Sequence, residues 1–228
     1  MVRHLMLGDC VVLQAYQKRF IELAKKHNAL KFGEFTLKSG RVSPYFFNAG
    51  AFNSGATLAE LGRCYADCIM GSGIKFDVLL GPAYKGIPLA AVTAVALADQ
   101  HGMDVPFAYN RKEAKTHGEG GVMVGAPLEG RILIIDDVIT AGTAVSEVIE
   151  MIDTAGAQAV GVVIGLDRQE KLDGDASAVQ TLSAKFNLSV ASIVNFGNLI
   201  DYLGQDQSAG DRLFAAMQEY RIKYGAIE

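Results

Sequence analysis

Residues 131–144 read Arg-Ile-Leu-Ile-Ile-Asp-Asp-Val-Ile-Thr-Ala-Gly-Thr-Ala, and this stretch decides the fold. Residues 132–135 are four consecutive large apolar residues, which is typical of a strand that is buried on both faces of a parallel sheet. Asp136 and Asp137 follow at its carboxyl end. Apolar residues then recur at spacings of three and four, which predicts a helix with one face on the sheet. These residues are Val145, Val148, Ile149 and Ile152.

The turn between this strand and this helix has the composition of a phosphate-binding loop. Backbone N–H groups at a helix N-terminus bind phosphate well, and small residues let the phosphate approach them. The two carboxylates beside the turn can accept hydrogen bonds from sugar hydroxyls or hold Mg²⁺. A sugar 5′-phosphate with free 2′- and 3′-hydroxyls fits both halves. The alternative is a plain strand–helix unit with capping acids, but two adjacent acids make poor core residues.

Composition narrows the class of protein. The 228 residues are 50% hydrophobic and 20% charged, which indicates one globular domain rather than a disordered chain. A net charge of −4 argues against a general nucleic-acid binder. The chain has no run of 18 apolar residues and no secretory signal pattern, so we expect no membrane span. Three cysteines are too few for a disulfide framework, which favours a reducing cytoplasm. Cys64 and Cys68 have helical spacing, but buried small residues are a better interpretation than a metal site.

Alternation of apolar strands and helices predicts a doubly wound, mainly parallel sheet. Residues 30–50 mix alternating apolar residues with turn chemistry, which predicts a small N-terminal hood of antiparallel strands above the carboxyl edge of that sheet. The strands of the sheet are predicted at 77–81, 105–109, 132–135, 159–165 and 190–196. Helices are predicted around 13–24, 57–70, 89–97, 145–152, 178–186, 198–203 and 211–224.

Cations and aromatic side chains occur near other strand ends. The glycine-flanked loop 81–88 carries Tyr84 and Lys85, and it is a second phosphate-binding candidate because ligands of open α/β sheets bind at these ends. A plain tight turn is its alternative. Arg168 follows another predicted strand at the same edge. The aromatic run 45–47 can cover a flat heterocycle, although an ordinary aromatic core is favoured from these residues alone.

Residues 109–121 form the most unusual segment. It contains Arg111, Lys112, Lys115 and His117, then mostly glycine, and it lacks apolar residues that would hold it on a core. We expect a long mobile loop that becomes ordered over a polyanion, as catalytic lids do. A solvated charged loop is the alternative.

A P-loop nucleotide-binding site is excluded. That motif needs G-x-x-x-x-G-K-[ST] upstream of the acidic strand end. The nearest candidate runs from Gly81 to Gly86, and it is followed by Ile87 instead of lysine.

The segments 35–41, 43–48, 81–88, 110–121, 136–144 and 165–170 together resemble the orotate phosphoribosyltransferases, a type I phosphoribosyltransferase family. The resemblance covers nearly the whole chain, so residues 1–228 are interpreted as a single phosphoribosyltransferase domain in which only the first dozen residues look like an extension. It implies the type I phosphoribosyltransferase fold, with the hood at 30–50 and a mobile catalytic loop at 109–121.

The resemblance also implies an activity. Such an enzyme, a pentosyltransferase, transfers the phosphoribosyl group of phosphoribosyl diphosphate (PRPP) to N1 of orotate, giving orotidine 5′-monophosphate and diphosphate in de novo pyrimidine biosynthesis. The family requires Mg²⁺, which would be held mainly through PRPP, near Asp136 and Asp137. It forms a homodimer in which the mobile loop reaches the neighbouring active site. The implied partners are orotate and PRPP, with no nucleic acid and no membrane.

The residues of the implied site fall into two groups. PRPP is assigned to Tyr84, Lys85, Arg111, Lys112, Lys115, His117, Asp136, Asp137, Val138, Ile139, Thr140, Ala141, Gly142, Thr143 and Ala144. Orotate is assigned to Lys38, Phe46, Phe47, Thr140 and Arg168. The catalytic candidates are Lys115 and His117, which would donate charge or a proton to the departing diphosphate, and Asp136 and Asp137, which would place the ribose.

Three other functions compete with this one. A phosphoribosyltransferase for a purine or uracil would not need a cation for a base carboxylate, which the segments around Lys38 and Arg168 offer. A PRPP-sensing regulator would keep residues 136–144 without needing the basic segment. A purely structural protein would not place acids and cations at several strand ends.

Overall fold

A computed structural model describes residues 12–37, 40–115, 121–172, 174–205 and 210–227, with the backbone alone at 114, 115 and 121. The described helices are α1 (Ala15–Lys26), α2 (Gly55–Ser72), α3 (Gly86–His101), α4 (Thr143–Thr154), α5 (Ala178–Phe186), α6 (Phe196–Gln205) and α7 (Asp211–Tyr224). The strands are β1 (Leu30–Thr36), β2 (Val42–Phe47), β3 (Val78–Gly81), β4 (Phe107–Lys115), β5 (Gly121–Gly125), β6 (Arg131–Asp136), β7 (Gln158–Asp167) and β8 (Ser189–Asn195).

The central sheet has the strand order β5-β4-β3-β6-β7-β8. Every neighbouring pair is parallel except β4 and β5, which are antiparallel. The carboxyl ends of β3, β6 and β7 therefore meet at one edge, where α/β sheets bind ligands. The predicted doubly wound, mainly parallel sheet is confirmed.

Strand β6 is buried on both faces because helices cover each side of the sheet. Ile132 and Ile134 point into a cluster with α4 and α5. Leu133 and Ile135 point into a larger cluster with α1, α2, α3, α6 and α7. All four side chains are fully buried, which agrees with the unbroken apolar run in the sequence.

The hood is a two-stranded antiparallel sheet of β1 and β2, and Leu30 pairs with Phe47 at its base. It is held on the main domain by aromatic contacts. The fully buried Tyr45 stacks on Phe196 with a centroid distance of 5.2 Å, and Phe47 packs on Phe20 at 6.0 Å. The predicted antiparallel hood is confirmed.

The helix bounds agree with the predictions for some helices and differ for others. The bounds predicted for α5 and α7 are confirmed. Helix α2 is four residues longer than predicted, because Ser54 caps its start and Gly73, with φ +70°, ends it. Helix α3 begins at Gly86 and ends before Gly102, so it extends beyond the apolar stretch that predicted it.

Strand β4 continues to Lys115, six residues beyond its predicted end at 109 and into the expected loop. The cause is a partner strand, since β5 pairs Asn110 with Met123 and Lys115 with Gly121. Backbone pairing at the sheet edge satisfies a segment whose side chains are polar. Residues 116–120 lie outside the described residues, and the mobility of the segment stays a prediction. No helix in the described ranges is long and apolar enough to cross a membrane.

Candidate active site

The acid pair at the end of β6 is fixed through its backbone. The Tyr65 hydroxyl donates to the Asp136 carbonyl oxygen at 2.7 Å. The N–H groups of Gly165 and Leu166 donate to the Asp137 carbonyl oxygen at 2.9 and 3.2 Å. Hydrogen bonds from α2 and from β7 thus fix the backbone at the carboxyl end of β6, which fixes the direction of the chain after the strand.

The side chains of the pair share one cation. Lys85 Nζ lies 2.5 Å from Asp137 Oδ2, and the Asp137 N–H donates to Asp136 Oδ1 at 2.9 Å. Burial raises the pKa of the Asp136 carboxyl well above its ordinary value, and the neighbouring Asp137 also raises it. The pair thus offers carboxylate oxygen atoms that a hydroxyl or a cation could use, beside the ammonium of Lys85.

The loop after the pair is largely exposed. Ile139 is buried and anchors the loop, whereas Thr140, Ala141, Thr143 and Ala144 are exposed. Gly142 has φ +73° and precedes α4, and no side chain of the described residues caps the N–H groups of the first helical turn. This arrangement suits a phosphate group.

The loop after β3 lies against the same edge. The Ala83 N–H donates to the side-chain oxygen of the buried Asn110 at 2.8 Å, and the peptide between Ala83 and Tyr84 is cis. The Tyr84 side chain is exposed, and Lys112 Nζ lies 5.1 Å from its ring centroid. The loop therefore joins the cation Lys85 to the strand that carries Arg111 and Lys112.

Glycine is required where this loop closes. A Cβ on Gly86 would lie 2.8 Å from the Ile135 carbonyl oxygen and 2.9 Å from the Gly81 carbonyl carbon. A Cβ on Gly81 would lie 2.2 Å from the Gly86 carbonyl oxygen. The close approach of β3, β6 and the start of α3 therefore depends on two residues without side chains.

The second cation of the edge lies at the end of β7. Arg168 Nη2 donates to Glu170 Oε1 at 2.5 Å, and its guanidinium carbon lies 4.7 Å from the Tyr45 ring centroid. Phe46 of the hood is exposed and packs on Phe35 at a centroid distance of 5.6 Å. Phe47 is half-buried and turns towards Phe20 instead, so the two predicted orotate-binding aromatics face different surroundings.

Some predicted site residues are placed by the structure and others are not. Lys38 and His117 lie outside the described residues, as does the Lys115 side chain. The structure places the remaining candidates on the loops and strands at the carboxyl edge or on the hood above it. Their roles in binding stay predictions.

Sequence reasoning missed four residues that hold the site. Asn110 and Glu170 occur inside segments that carried the resemblance, next to Arg111 and two residues after Arg168, so their position was a usable signal. Tyr65 and Tyr220 lie on helices far from any motif. They had no sequence signal beyond being polar aromatic residues on apolar helix faces.

Comparison with known proteins agrees with this geometry. Residues 52–193 match the family model for the phosphoribosyl transferase domain. The orotate phosphoribosyltransferase of Pseudomonas aeruginosa is 59% identical over 213 residues, which are 93% of this chain and 100% of that protein. The one from Saccharophagus degradans is also 59% identical, over 93% of this chain and 99% of that protein.

A crystal structure of orotate phosphoribosyltransferase from Francisella tularensis superposes with a TM-score of 0.84 at 47% identity, covering 91% of this chain and 99% of that one. The matched domain spans more than half of the chain, and the curated relatives cover nearly all of it. The chain therefore belongs to the orotate phosphoribosyltransferases, which are enzymes of the phosphoribosyl transferase family.

Proposed function

We propose that this chain catalyses the Mg²⁺-dependent transfer of the phosphoribosyl group from PRPP to N1 of orotate, giving orotidine 5′-monophosphate and diphosphate in de novo pyrimidine biosynthesis. One observation carries the proposal: the acid pair and open loop after β6 share a sheet edge with the buried guanidinium of Arg168. A sugar phosphate fits the first group, and a base that carries a carboxylate fits the second.

The residues after β6 would hold the ribose 5-phosphate unit. The exposed backbone of 140–144 would bind the phosphate, and Asp136 and Asp137 would accept hydrogen bonds from the ribose hydroxyls. Glycosyl transfer passes through an oxocarbenium-like state. Carboxylates that hold the hydroxyls help to place and stabilise that developing positive charge.

The donor set fits Mg²⁺ that is held mainly through substrate. No cluster of three or more His, Cys, Asp or Glu side chains suited to a metal occurs within the described ranges. Mg²⁺ commonly binds one or two carboxylates together with substrate phosphates and water, and Asp136 and Asp137 supply two. Bound in this way, the ion would neutralise charge on the departing diphosphate.

The cations of the edge would act on the entering orotate and on the departing diphosphate. Orotate needs a cation for its carboxylate, which Arg168 supplies, and Lys38 is a second candidate. Lys115 and His117 would stabilise or protonate the departing diphosphate, with Arg111 and Lys112 beside them. Orotate N1 would attack directly, because no serine or cysteine nucleophile paired with a base is evident among the described residues of the edge.

The test is the loss of orotate absorbance when the protein, PRPP and Mg²⁺ are mixed, with uracil and hypoxanthine as control bases. We expect turnover of orotate alone, and none when Mg²⁺ is removed by a chelator. PRPP binding without turnover of any base would instead support a regulator. Turnover of uracil or hypoxanthine would show that the enzyme uses a different base from the one proposed.

The same proposal includes a homodimer whose basic segment serves the neighbouring site. The exposed apolar side chains of Met70 on α2 and Val95 on α3 support a protein contact, because these two helices pack together. The buried free thiols of Cys64 and Cys68 agree with the reducing cytoplasm that we propose as its location.

Mixing two inactive variants tests the shared site. A Lys115→Ala subunit keeps Asp137, and an Asp137→Asn subunit keeps Lys115. If the segment acts across the dimer, a mixed dimer contains one complete site and regains activity after subunit exchange. If the segment acts within its own subunit, every site in the mixture stays defective and no activity returns.

A further inference from the structure

Glu170 is a shared acceptor for side chains from three parts of the fold. Its Oε1 atom accepts from Arg168 Nη2 at 2.5 Å, from the Tyr220 hydroxyl at 3.0 Å and from the Tyr45 hydroxyl at 3.5 Å. Arg168 directly follows β7, Tyr45 belongs to the hood, and Tyr220 belongs to α7, near the end of the described chain. One carboxylate therefore ties the sheet edge, the hood and α7 together.

The two tyrosines remain hydrogen-bond donors at neutral pH. Burial raises the pKa of Tyr220 to about 12, and it raises the pKa of the fully buried Tyr45 well above its ordinary value. Their hydroxyl groups thus keep their protons and can point them at Glu170.

These contacts restrict the Arg168 guanidinium. Its Nη2 donates to Glu170, and its Cζ lies over the Tyr45 ring at 4.7 Å from the centroid. The side chain is only 16% exposed, so it has few rotamers in which its remaining N–H groups can reach a ligand. A guanidinium that is fixed before binding loses less entropy when it meets a planar carboxylate.

Arg41 also lies near this carboxylate, with Nη1 at 3.9 Å from Oε2, and its guanidinium donates to the Lys171 carbonyl oxygen at 3.2 Å. A ligand carboxylate would give the largely buried Arg168 a second anionic partner, which a base without that carboxylate would not supply.

We propose that Glu170 and Tyr220 are positioning residues that hold Arg168 for the carboxylate that distinguishes orotate from uracil. This inference rests on the proposed function, because it needs Arg168 to face the base. It assigns α7 a role in base specificity through Tyr220.

The experiment compares two product nucleotides that differ only in the carboxylate. Isothermal titration gives the Kd of orotidine 5′-monophosphate and of uridine 5′-monophosphate, and the ratio of the two isolates the contribution of the carboxylate. Arg168→Gln provides the reference for complete loss of this contribution. Tyr224→Phe is the matched control, because it removes a neighbouring hydroxyl of α7 that is not bonded to Glu170.

We expect Tyr220→Phe to weaken binding of orotidine 5′-monophosphate roughly 5-fold and to leave binding of uridine 5′-monophosphate unchanged, since a hydrogen bond to a charged group is lost. Glu170→Asp keeps the charge but shortens the side chain, and it should lower the ratio in the same way. Tyr224→Phe should keep the wild-type ratio.

Two results overturn the inference alone. In one, Tyr220→Phe and Glu170→Asp keep the wild-type ratio although Arg168→Gln abolishes it. In the other, both variants weaken the two nucleotides equally, which is the signature of a merely structural role. A wild-type ratio near one has a different meaning, because it contradicts the proposed base specificity itself and the inference fails with it.

Discussion

The two ends of the candidate active site are centred on charges of opposite sign and are built differently. At the ribose end stand the acids Asp136 and Asp137, and Lys85 pairs with Asp137. At the base end stands the guanidinium of Arg168, which pairs with Glu170. Each end matches its proposed ligand: a metal-bound sugar diphosphate at the acidic end and a carboxylate at the basic end.

The ends also differ in how the chain assembles them. The acids and the phosphate loop are contiguous in sequence, and their orientation comes from backbone hydrogen bonds at a strand end. The base end gathers side chains from the hood, β7 and α7. The groups that would bind ligand at the first end thus lie close together in sequence, whereas those of the second come from distant parts of the chain.

The largest effect is expected from a substitution in the acid pair. Asp137→Asn preserves the shape of the side chain and the backbone bonds from Gly165 and Leu166, but it removes the charge that pairs with Lys85. We expect kcat/KM for PRPP to fall about 10²-fold or more, because a charge aimed at the transition state is lost. Steady-state rates at saturating orotate measure it. A variant with wild-type kinetics would show that the acids are only structural.

Lys115→Ala tests the role of the last residue of β4 at the ribose end. If Lys115 acts on the departing diphosphate, kcat falls about 10²-fold while orotate affinity changes little. Lys185→Ala removes an exposed lysine on α5 and is the matched control for lost charge. An unchanged kcat in Lys115→Ala would remove this residue from the chemical step.

Tyr65→Phe leaves both acids in place and removes only a hydrogen bond to the backbone that carries them. Its hydroxyl is the donor to the Asp136 carbonyl, so its loss leaves a buried acceptor unpaired and should cost about 1 kcal/mol of stability. We expect KM for PRPP to rise roughly 3-fold without change in KM for orotate. Denaturant unfolding and steady-state kinetics separate the two effects.

Tyr16→Phe is the control for this change, because it removes the hydroxyl of a half-buried tyrosine on α1, beside Cys68. Equal loss of apparent affinity for PRPP and orotate in Tyr65→Phe would indicate a general structural role for Tyr65.

The smallest effect is expected at the opposite end of β6. Asp77 binds Arg131 through two side-chain hydrogen bonds, at 2.8 and 2.9 Å. The pair is exposed and distant from the carboxyl edge. Asp77→Asn should therefore leave kcat/KM unchanged, and a large loss of activity would contradict the division between the two ends.

The same pair gives a pH dependence with a defined sign. Hydrogen bonds from Arg131 lower the pKa of Asp77 from 3.8 to about 2. A lowered pKa means that the stabilisation is present above pH 3.8 and is lost as the pH falls towards 2. The difference in Tm between wild type and Asp77→Asn should be constant near neutral pH and shrink on acidification. A difference that grows below pH 4 would contradict this origin.

The ribose end and the sheet could be predicted from the sequence because their signals are local. The run 132–135 marks a buried strand, and the acids and small residues that follow carry the chemistry themselves. The hood could also be predicted, from the alternation around Phe35 and the turn near Gly40. The pairing that extends β4 to Lys115 could not, because it depends on a second strand with little apolar pattern.

The contacts that hold Arg168 at the base end could not be predicted either, because they join residues that are far apart in sequence. Tyr220 reaches Glu170 only because α7 packs on the hood, and 50 residues separate the two along the chain. The support behind the acids at the ribose end is equally distant in sequence, since Tyr65 and Asp136 are 71 residues apart. Neither residue type nor spacing reveals such contacts without the fold.

The most direct test of the two-ended site is a crystal structure of the protein with orotidine 5′-monophosphate. Our account predicts the 5′-phosphate on the backbone of 140–144, the ribose hydroxyls at Asp136 and Asp137, and the base carboxylate at Arg168 with Glu170 still bonded to it. A nucleotide whose phosphate lies at Arg168, or whose carboxylate lies away from it, would contradict the account.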